Sequence, residues 1–184
     1  MRRMELDPGK YYKLLVRPVV VITTLFENGK VNAAPFSFTT PLSFSPPLFA
    51  FATSTEHDTY KNVKRTGEFV ANLVGNAIGP YMKALERPLP EGESELDLAG
   101  LETRKSRMIS TPGMADAYAW IECKLHADVE CGDHNLIIGK VLAVDVVDKF
   151  WDRVVVPEKA SPLFHISGEY FGRGVSRVKY ERWR

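Results

Sequence analysis

The pattern of apolar and polar positions divides the chain into short extended runs joined by turns. Val16–Leu25 carries Val19-Val20-Val21-Ile22-Thr23-Thr24, a β-branched run whose continuous apolarity predicts a strand buried on both faces. Glu27-Asn28-Gly29-Lys30 follows, and Asn-Gly is a strong hairpin signal because both residues tolerate positive φ. Val31–Phe38 is therefore expected to return antiparallel. Leu48–Thr53 predicts a third strand and Glu68–Leu73 a fourth. Ala117–Val129 and Leu136–Val147 predict two more, joined by a turn at Gly132-Asp133-His134-Asn135, with Gly139 marking a bulge. Helical stretches are short. Thr59–Thr66 is one, with Asp58 or Thr59 as its cap, Lys64 and Arg65 in its last turn and Gly67 closing it. Ile78–Leu85 is another. At least six strands with two or three short helices predict a mainly β fold, an antiparallel barrel; a doubly wound parallel sheet needs longer helices in regular alternation.

Three stretches break this regularity. Val31–Thr53, VNAAPFSFTTPLSFSPPLFAFAT, starts as a strand, dissolves into small and hydroxyl residues, and resumes after Pro46-Pro47. Pro41, Pro46 and Pro47 cannot donate to a ladder, which puts the segment at a sheet edge or a crossing. Ser37, Thr39, Thr40, Ser43 and Ser45 then offer hydroxyls at a barrel mouth, where ligands bind; a plain hydroxyl-rich loop is the alternative. Arg87–Gly100, with Pro88, Pro90, Gly92 and four acidic residues, predicts a surface excursion: a lid, an interface arm or a simple connection. Val175–Arg184 reads as a basic, solvated tail, with packing on a partner subunit as the alternative.

Composition narrows the function. A length of 184 residues suggests one domain, 1–184, and 45% apolar with 26% charged residues is a globular balance. A net charge of +1 gives no support to nucleic-acid binding. No apolar run approaches a membrane span, and Arg2-Arg3 is not followed by the apolar stretch of a secretory signal. Cys123 and Cys131 have no CxxC partner and the four histidines no HExxH spacing, so no metal site is expected, and reduced thiols suit a cytoplasmic location. There is no GxGxxG, GxxxxGK[ST] or GxSxG, which argues against a Rossmann dinucleotide site, a P-loop and hydrolase chemistry.

One ordered series of motifs points further. Asn32-Ala33-Ala34-Pro35-Phe36-Ser37-Phe38, then Pro46-Pro47-Leu48, then His57-Asp58-Thr59-Tyr60-Lys61-Asn62, then Gly67-Glu68-Phe69-Val70-Ala71-Asn72-Leu73 resembles the flavin reductase-like family. The resemblance runs from about Arg17 to about Phe171. It implies an antiparallel Greek-key split barrel of the FMN-binding type, FMN as cofactor, a homodimer, and redox chemistry between NAD(P)H and a small-molecule acceptor. It further implies flavin contacts from Asn32, Ala33, Ala34, Pro35, Phe36, Ser37, Phe38, Thr53, Ser54, His57, Thr59 and Asn62. FMN needs donors and positive charge for its phosphate, an apolar slot for its ring, and hydrogen bonds to the polar ring edge. Thr53-Ser54-Thr55 beside a helix start offers the first, with Asp58 expected to turn away from the phosphate. Arg17 reads as a solvated arginine, with a phosphate within reach as the alternative. Ser161–Phe171 resembles the family's C-terminal segment, which implies His165 beside a nicotinamide and Tyr170 closing the pocket; docking of Phe164, Tyr170 and Phe171 into the core is the plainer reading. Hydride transfer needs no protein nucleophile, which accounts for the lack of a catalytic triad. An electron-carrying flavoprotein and a non-redox ligand-binding barrel are the rival functions.

Overall fold

In the computed structural model, which describes residues 3–180, seven strands form one antiparallel sheet. They are β1 Val20–Leu25, β2 Val31–Phe36, β3 Thr39–Phe44, β4 Pro47–Thr53, β5 Glu68–Leu73, β6 Ala119–Cys131 and β7 His134–Val146. Their order across the sheet is β2-β1-β5-β6-β7-β4-β3. β2 and β3 therefore occupy opposite edges, yet only Ser37 and Phe38 separate them in the chain. Three Cα–Cα steps reach at most about 11 Å, so the sheet must curl until its edges nearly meet. The result is a barrel with a seam, and Ser37-Phe38 crosses that seam. Phe38 is fixed there by its carbonyl, which accepts from Ala52 N at 2.9 Å.

Barrel closure explains the two-faced burial of β1. Ile22, Phe51, Phe69 and Ile137 fill the interior from four strands, each fully buried. Val21 and Val70 face the other way, beneath Met82 and Leu85 of α2 (Met82–Leu85) and Leu96. Full burial of each such side chain stabilises the fold by about 1.5–3 kcal/mol. Gly139 sits at a register shift between β6 and β7, as its bulge expectation required, and a Cβ there would lie 2.5 Å from Phe69 Cζ.

Several elements differ from expectation. Thr39–Phe44 is a strand, not a loop; it lies at the sheet edge, where Pro41 can pair with Phe49 without needing a donor on its open side. In the first hairpin only Gly29 takes positive φ, at +83°, while Asn28 supports the turn through Oδ1, which accepts from Lys30 N at 3.0 Å. Helix α1 spans Asp58–Thr66 and ends at Gly67 in the left-handed region, but its N-cap is His57 instead of Asp58 or Thr59. The helix expected over Ile78–Leu85 is a 3-10 turn, Asn76–Tyr81, leading into α2. Only the first half of Arg87–Gly100 is an excursion. Its second half is α3, Glu95–Ala99, capped by Ser94 and closed by Gly100 at φ +66°.

A small second sheet joins distant parts of the chain. Arg17-Pro18 pairs with β8 (Phe164–Ser167), which pairs with β9 (Tyr170–Gly172), placing Arg17 opposite His165. A 3-10 helix over Pro8–Leu14, which the pattern did not foretell, packs nearby. Of the basic tail, residues 175–180 are exposed without regular structure, and Arg177 pairs with Asp152 and Glu158. Trp183 and the rest of 181–184 lie outside the described residues.

Candidate functional site

The seam opens into a cleft of about 470 Å³. Its floor is Asn32 and Ala34–Phe36 of β2, one wall is the start of α1, and the other is Leu85–Leu89. Beyond Pro35-Phe36 lies a recess of about 260 Å³ that Arg17, Ser37, Phe38, Thr53, His57 and His165 help to line. A smaller recess of about 110 Å³, bordered by His165 and Phe171, lies alongside.

The open edge of β2 is managed by α3. Ser94 Oγ donates to Val31 O at 2.6 Å, and Glu95 Oε2 accepts from Ala33 N at 2.9 Å. Two side chains thus occupy polar groups that a further strand would have paired. By the alternation of a strand, Pro35 also faces outward, where its missing N–H leaves nothing unpaired. Burial pushes the Glu95 carboxyl above its ordinary range, an effect that the Ala33 N–H partly offsets. Ala33 itself is fully buried and does not line the cleft.

Beneath the floor runs a buried polar network. Asn32 Nδ2 donates to Thr24 Oγ1 at 3.1 Å and to Thr59 Oγ1 at 3.0 Å, and Asn62 Nδ2 donates to Thr24 Oγ1 at 3.2 Å. These bonds fix Asn32 and Thr59 while leaving the side-chain Oδ1 of Asn32 and the Thr59 hydroxyl proton without partners among the described residues. Both residues line the cleft; Asn62 braces them from behind and does not.

The start of α1 is rich in unused donors. His57 makes no side-chain cap bond, and the N–H groups of Asp58, Thr59 and Tyr60 have no partner among the described residues. His57 instead holds Nδ1 3.1 Å from Thr53 Oγ1. Ser54 is spent on its own turn, its Oγ accepting from Glu56 N at 3.3 Å, and is absent from the cavity walls. The Asp58 carboxylate lies 3.4 Å from Lys61 Nζ. Arg87 lines the same cleft opposite.

Arg17 is not solvated. It is half-buried, with Nε donating to Ser37 Oγ at 3.3 Å, Nη2 to Ile166 O at 2.9 Å and Nη1 to Tyr12 O. Its guanidinium stands 5.2 Å from the centre of the Phe38 ring. His165 is clamped between Ser37 Oγ and Gly168 O, each 3.1 Å from a ring nitrogen, with its ring 5.1 Å from Phe171. Tyr170 does not close the pocket: it is 68% exposed and lines none of these recesses. Phe171, one residue on, takes the place beside His165. Among the lining residues that the sequence did not single out are Tyr12, Arg87, Glu95, His134 and Phe171. Tyr12 is placed by its carbonyl, which accepts from Arg17, itself paired with the His165 strand.

Comparison with known proteins fits this arrangement. Residues 12–174 match the flavin reductase like domain. An uncharacterised protein of Halalkalibacterium halodurans is 32% identical over 192 residues, 92% of each chain. Nitrilotriacetate monooxygenase component B from Bacillus cereus superposes with a TM-score of 0.87 at 24% identity, over 98% of this chain and 100% of that one. An FMN-binding protein from Thermus thermophilus, solved with bound p-hydroxybenzaldehyde, superposes with a TM-score of 0.80 at 24% identity over 98% of each chain. The fold is the split barrel of the flavin reductases. The matched residues take in the barrel, its seam and every wall of the cleft, and the chain belongs to the flavin reductase like domain family.

Proposed function

We propose that the chain is one split-barrel domain that binds FMN in the seam cleft and runs an NAD(P)H-dependent oxidoreduction, of flavin or ferric reductase type, with a small-molecule acceptor. The observation that carries this reading is the start of α1, with no side-chain cap, at one end of a slim slot floored by Asn32 and Ala34–Phe36. The donor set fits the cofactor. The N–H groups of Asp58, Thr59 and Tyr60, the Thr59 hydroxyl and Arg87 would hold the phosphate, and Asn32, Ala34, Pro35 and Phe36 the ring. FMN bound there would supply a two-electron acceptor that can also release electrons singly. The protein's own work is to orient and to exclude water. Phe36 and Phe171 shield the recess, Ser37 and Gly168 fix the His165 ring, and His165 borders the space where a nicotinamide would dock. A neighbour of the same fold described as FMN-binding supports the choice of cofactor.

The absorption spectrum of the pure protein tests this. Yellow protein bleached rapidly by NADH or NADPH is expected. Bleaching by dithionite alone would turn the reading to an electron carrier reduced by a protein partner. Colourless protein without FMN affinity would leave a non-redox ligand-binding barrel.

A homodimer is part of the same proposal. Phe44 is 98% exposed on β3, and Leu42 of the same edge strand is also exposed, an apolar edge of the kind that marks an interface. Sedimentation showing only a 20.7 kDa species at micromolar concentration would refute it. Two free cysteines suit a reducing compartment, and no helix among the described residues is long and apolar enough to cross a membrane.

A further inference from the structure

The recess beyond Pro35-Phe36 has a chemistry of its own. Arg17 brings a permanent positive charge, is half-buried, and forms no ion pair among the described residues. No aspartate or glutamate lines this recess, whereas Glu56, Asp58, Glu86 and Glu95 all line the adjoining cleft. Three of the chain's four histidines, His57, His134 and His165, are in its walls. Each holds Nδ1 against a neighbour: Thr53 Oγ1 at 3.1 Å, Asp133 Oδ1 at 2.8 Å and Ser37 Oγ at 3.1 Å. The Nε2 atoms of His57 and His134 have no partner among the described residues. Aromatic surface completes the walls, from Tyr12, Phe36 and Phe38, and the Phe38 ring lies against both Arg17 and His134.

A half-buried cation without a counter-ion draws an anion, because its charge is incompletely solvated. Flat apolar walls beside it draw a ring. A volume of about 260 Å³ suits a one-ring molecule; it falls below the roughly 300–1,000 Å³ of sites for larger ligands. We propose that this recess is a binding site for a small aromatic carboxylate, with the carboxylate on Arg17 and the ring against Phe38. The Arg17 fork has capacity for it. One Nη1–H is uncommitted, and the 3.5 Å approach of Nη2 to His165 Nδ1 is too long to compete with a carboxylate. Pro35 and Phe36 wall both cavities, so the ligand would sit beside the flavin cleft. Its standing as a second substrate rests on the flavin reading; its binding does not.

Calorimetric titration of the full-length protein with benzoate, benzamide and acetate tests the site. Benzoate is expected to bind one per chain, at least tenfold tighter than benzamide, which lacks the charge, and than acetate, which lacks the ring. Arg17→Gln is expected to lower benzoate affinity at least tenfold and leave the preference for FMN over riboflavin intact. Benzoate binding no tighter than benzamide would overturn the proposal, as would full benzoate affinity in Arg17→Gln. So would loss of FMN, but not riboflavin, from Arg17→Gln, which would give Arg17 to the flavin phosphate. The three-probe comparison on the wild type decides the matter even where the variant fails to fold. Colourless protein that still prefers benzoate would keep this site and remove the flavin reading; yellow, NADPH-bleached protein indifferent to benzoate would do the reverse.

Discussion

Removing the phosphate from the flavin is the most informative perturbation of the main cleft. Three N–H groups at the start of α1, those of Asp58, Thr59 and Tyr60, have no partner among the described residues, and the nine-residue helix directs its positive end at the cleft. A charge-assisted hydrogen bond is worth about 1.5–3 kcal/mol. Loss of two therefore costs about 3–6 kcal/mol, or at least a hundredfold in affinity at about 1.4 kcal/mol per decade. The cleft's carboxylates work against this. Asp58 is the closest to the helix start, and in water a unit charge pair at about 6 Å is worth roughly 0.7 kcal/mol. Lys61, 3.4 Å away, neutralises part of that charge. The net expectation remains about a hundredfold preference for FMN over riboflavin, read by quenching of flavin fluorescence on titration of flavin-free protein. Asp58→Asn should strengthen FMN binding about threefold and leave riboflavin unchanged. Equal affinities for the two flavins would put the phosphate in solvent and remove the start of α1 from the site.

Other parts of the structure make separate demands. His165→Ala should retain the flavin yet slow its reduction by NAD(P)H about tenfold, with dithionite reduction unchanged; wild-type stopped-flow rates with a lowered melting temperature would make His165 a purely structural residue. Burial raises the Glu95 carboxyl, so the native state holds that proton more tightly than the unfolded chain. The stability from this group is then full below the unfolded value and declines as pH rises through the raised one. Glu95→Gln keeps an acceptor for Ala33 N–H without the charge, so thermal melts should show wild type losing ground to it as pH rises above the ordinary carboxylate range, and a pH-independent difference would contradict this. Gly139→Ala would set a Cβ 2.5 Å from Phe69 Cζ and 2.8 Å from Cys123 Cβ; overpacking of about 1–3 kcal/mol should lower the melting temperature by roughly 2–12 °C, and an unchanged melt would mean the barrel interior yields freely.

How far the sequence could be read depended on the range of the interaction behind each feature. Glu68–Leu73 was legible to the residue because burial repeats along it and Gly67 fixes its start. Thr39–Phe44 was not, because an edge strand with hydroxyls and a proline lacks the apolar pattern that marks a buried one. α3 was hidden among prolines and acidic residues, although Ser94 and Gly100 bracket it as caps do. Arg17 and His165 are 148 residues apart, and only strand pairing makes them neighbours. Tyr170 and Phe171 show the limit most sharply. An aromatic beside His165 was expected, but the register shift between His165 and Ser167 places Phe171 opposite His165 and turns Tyr170 out. A strand exchanges its faces with every residue, so one irregularity decides which ring enters the pocket.

The seam links fold and function. A fully paired barrel presents no free backbone edge, and this one keeps its edges apart with residues that cannot pair. Pro35 removes a donor from β2, Pro41 removes one from β3, and Pro46-Pro47 begins the return into β4. Ser94 and Glu95 then cover the first half of the β2 edge and stop, leaving Ala34–Phe36 as the cleft floor. Ala34 and Pro35, slim residues near the end of β2, leave room above that floor. Ser37-Phe38, which makes that crossing, walls the second recess and meets Arg17 and His165 there. A barrel closed along this line would be better satisfied as a sheet and would have neither cavity.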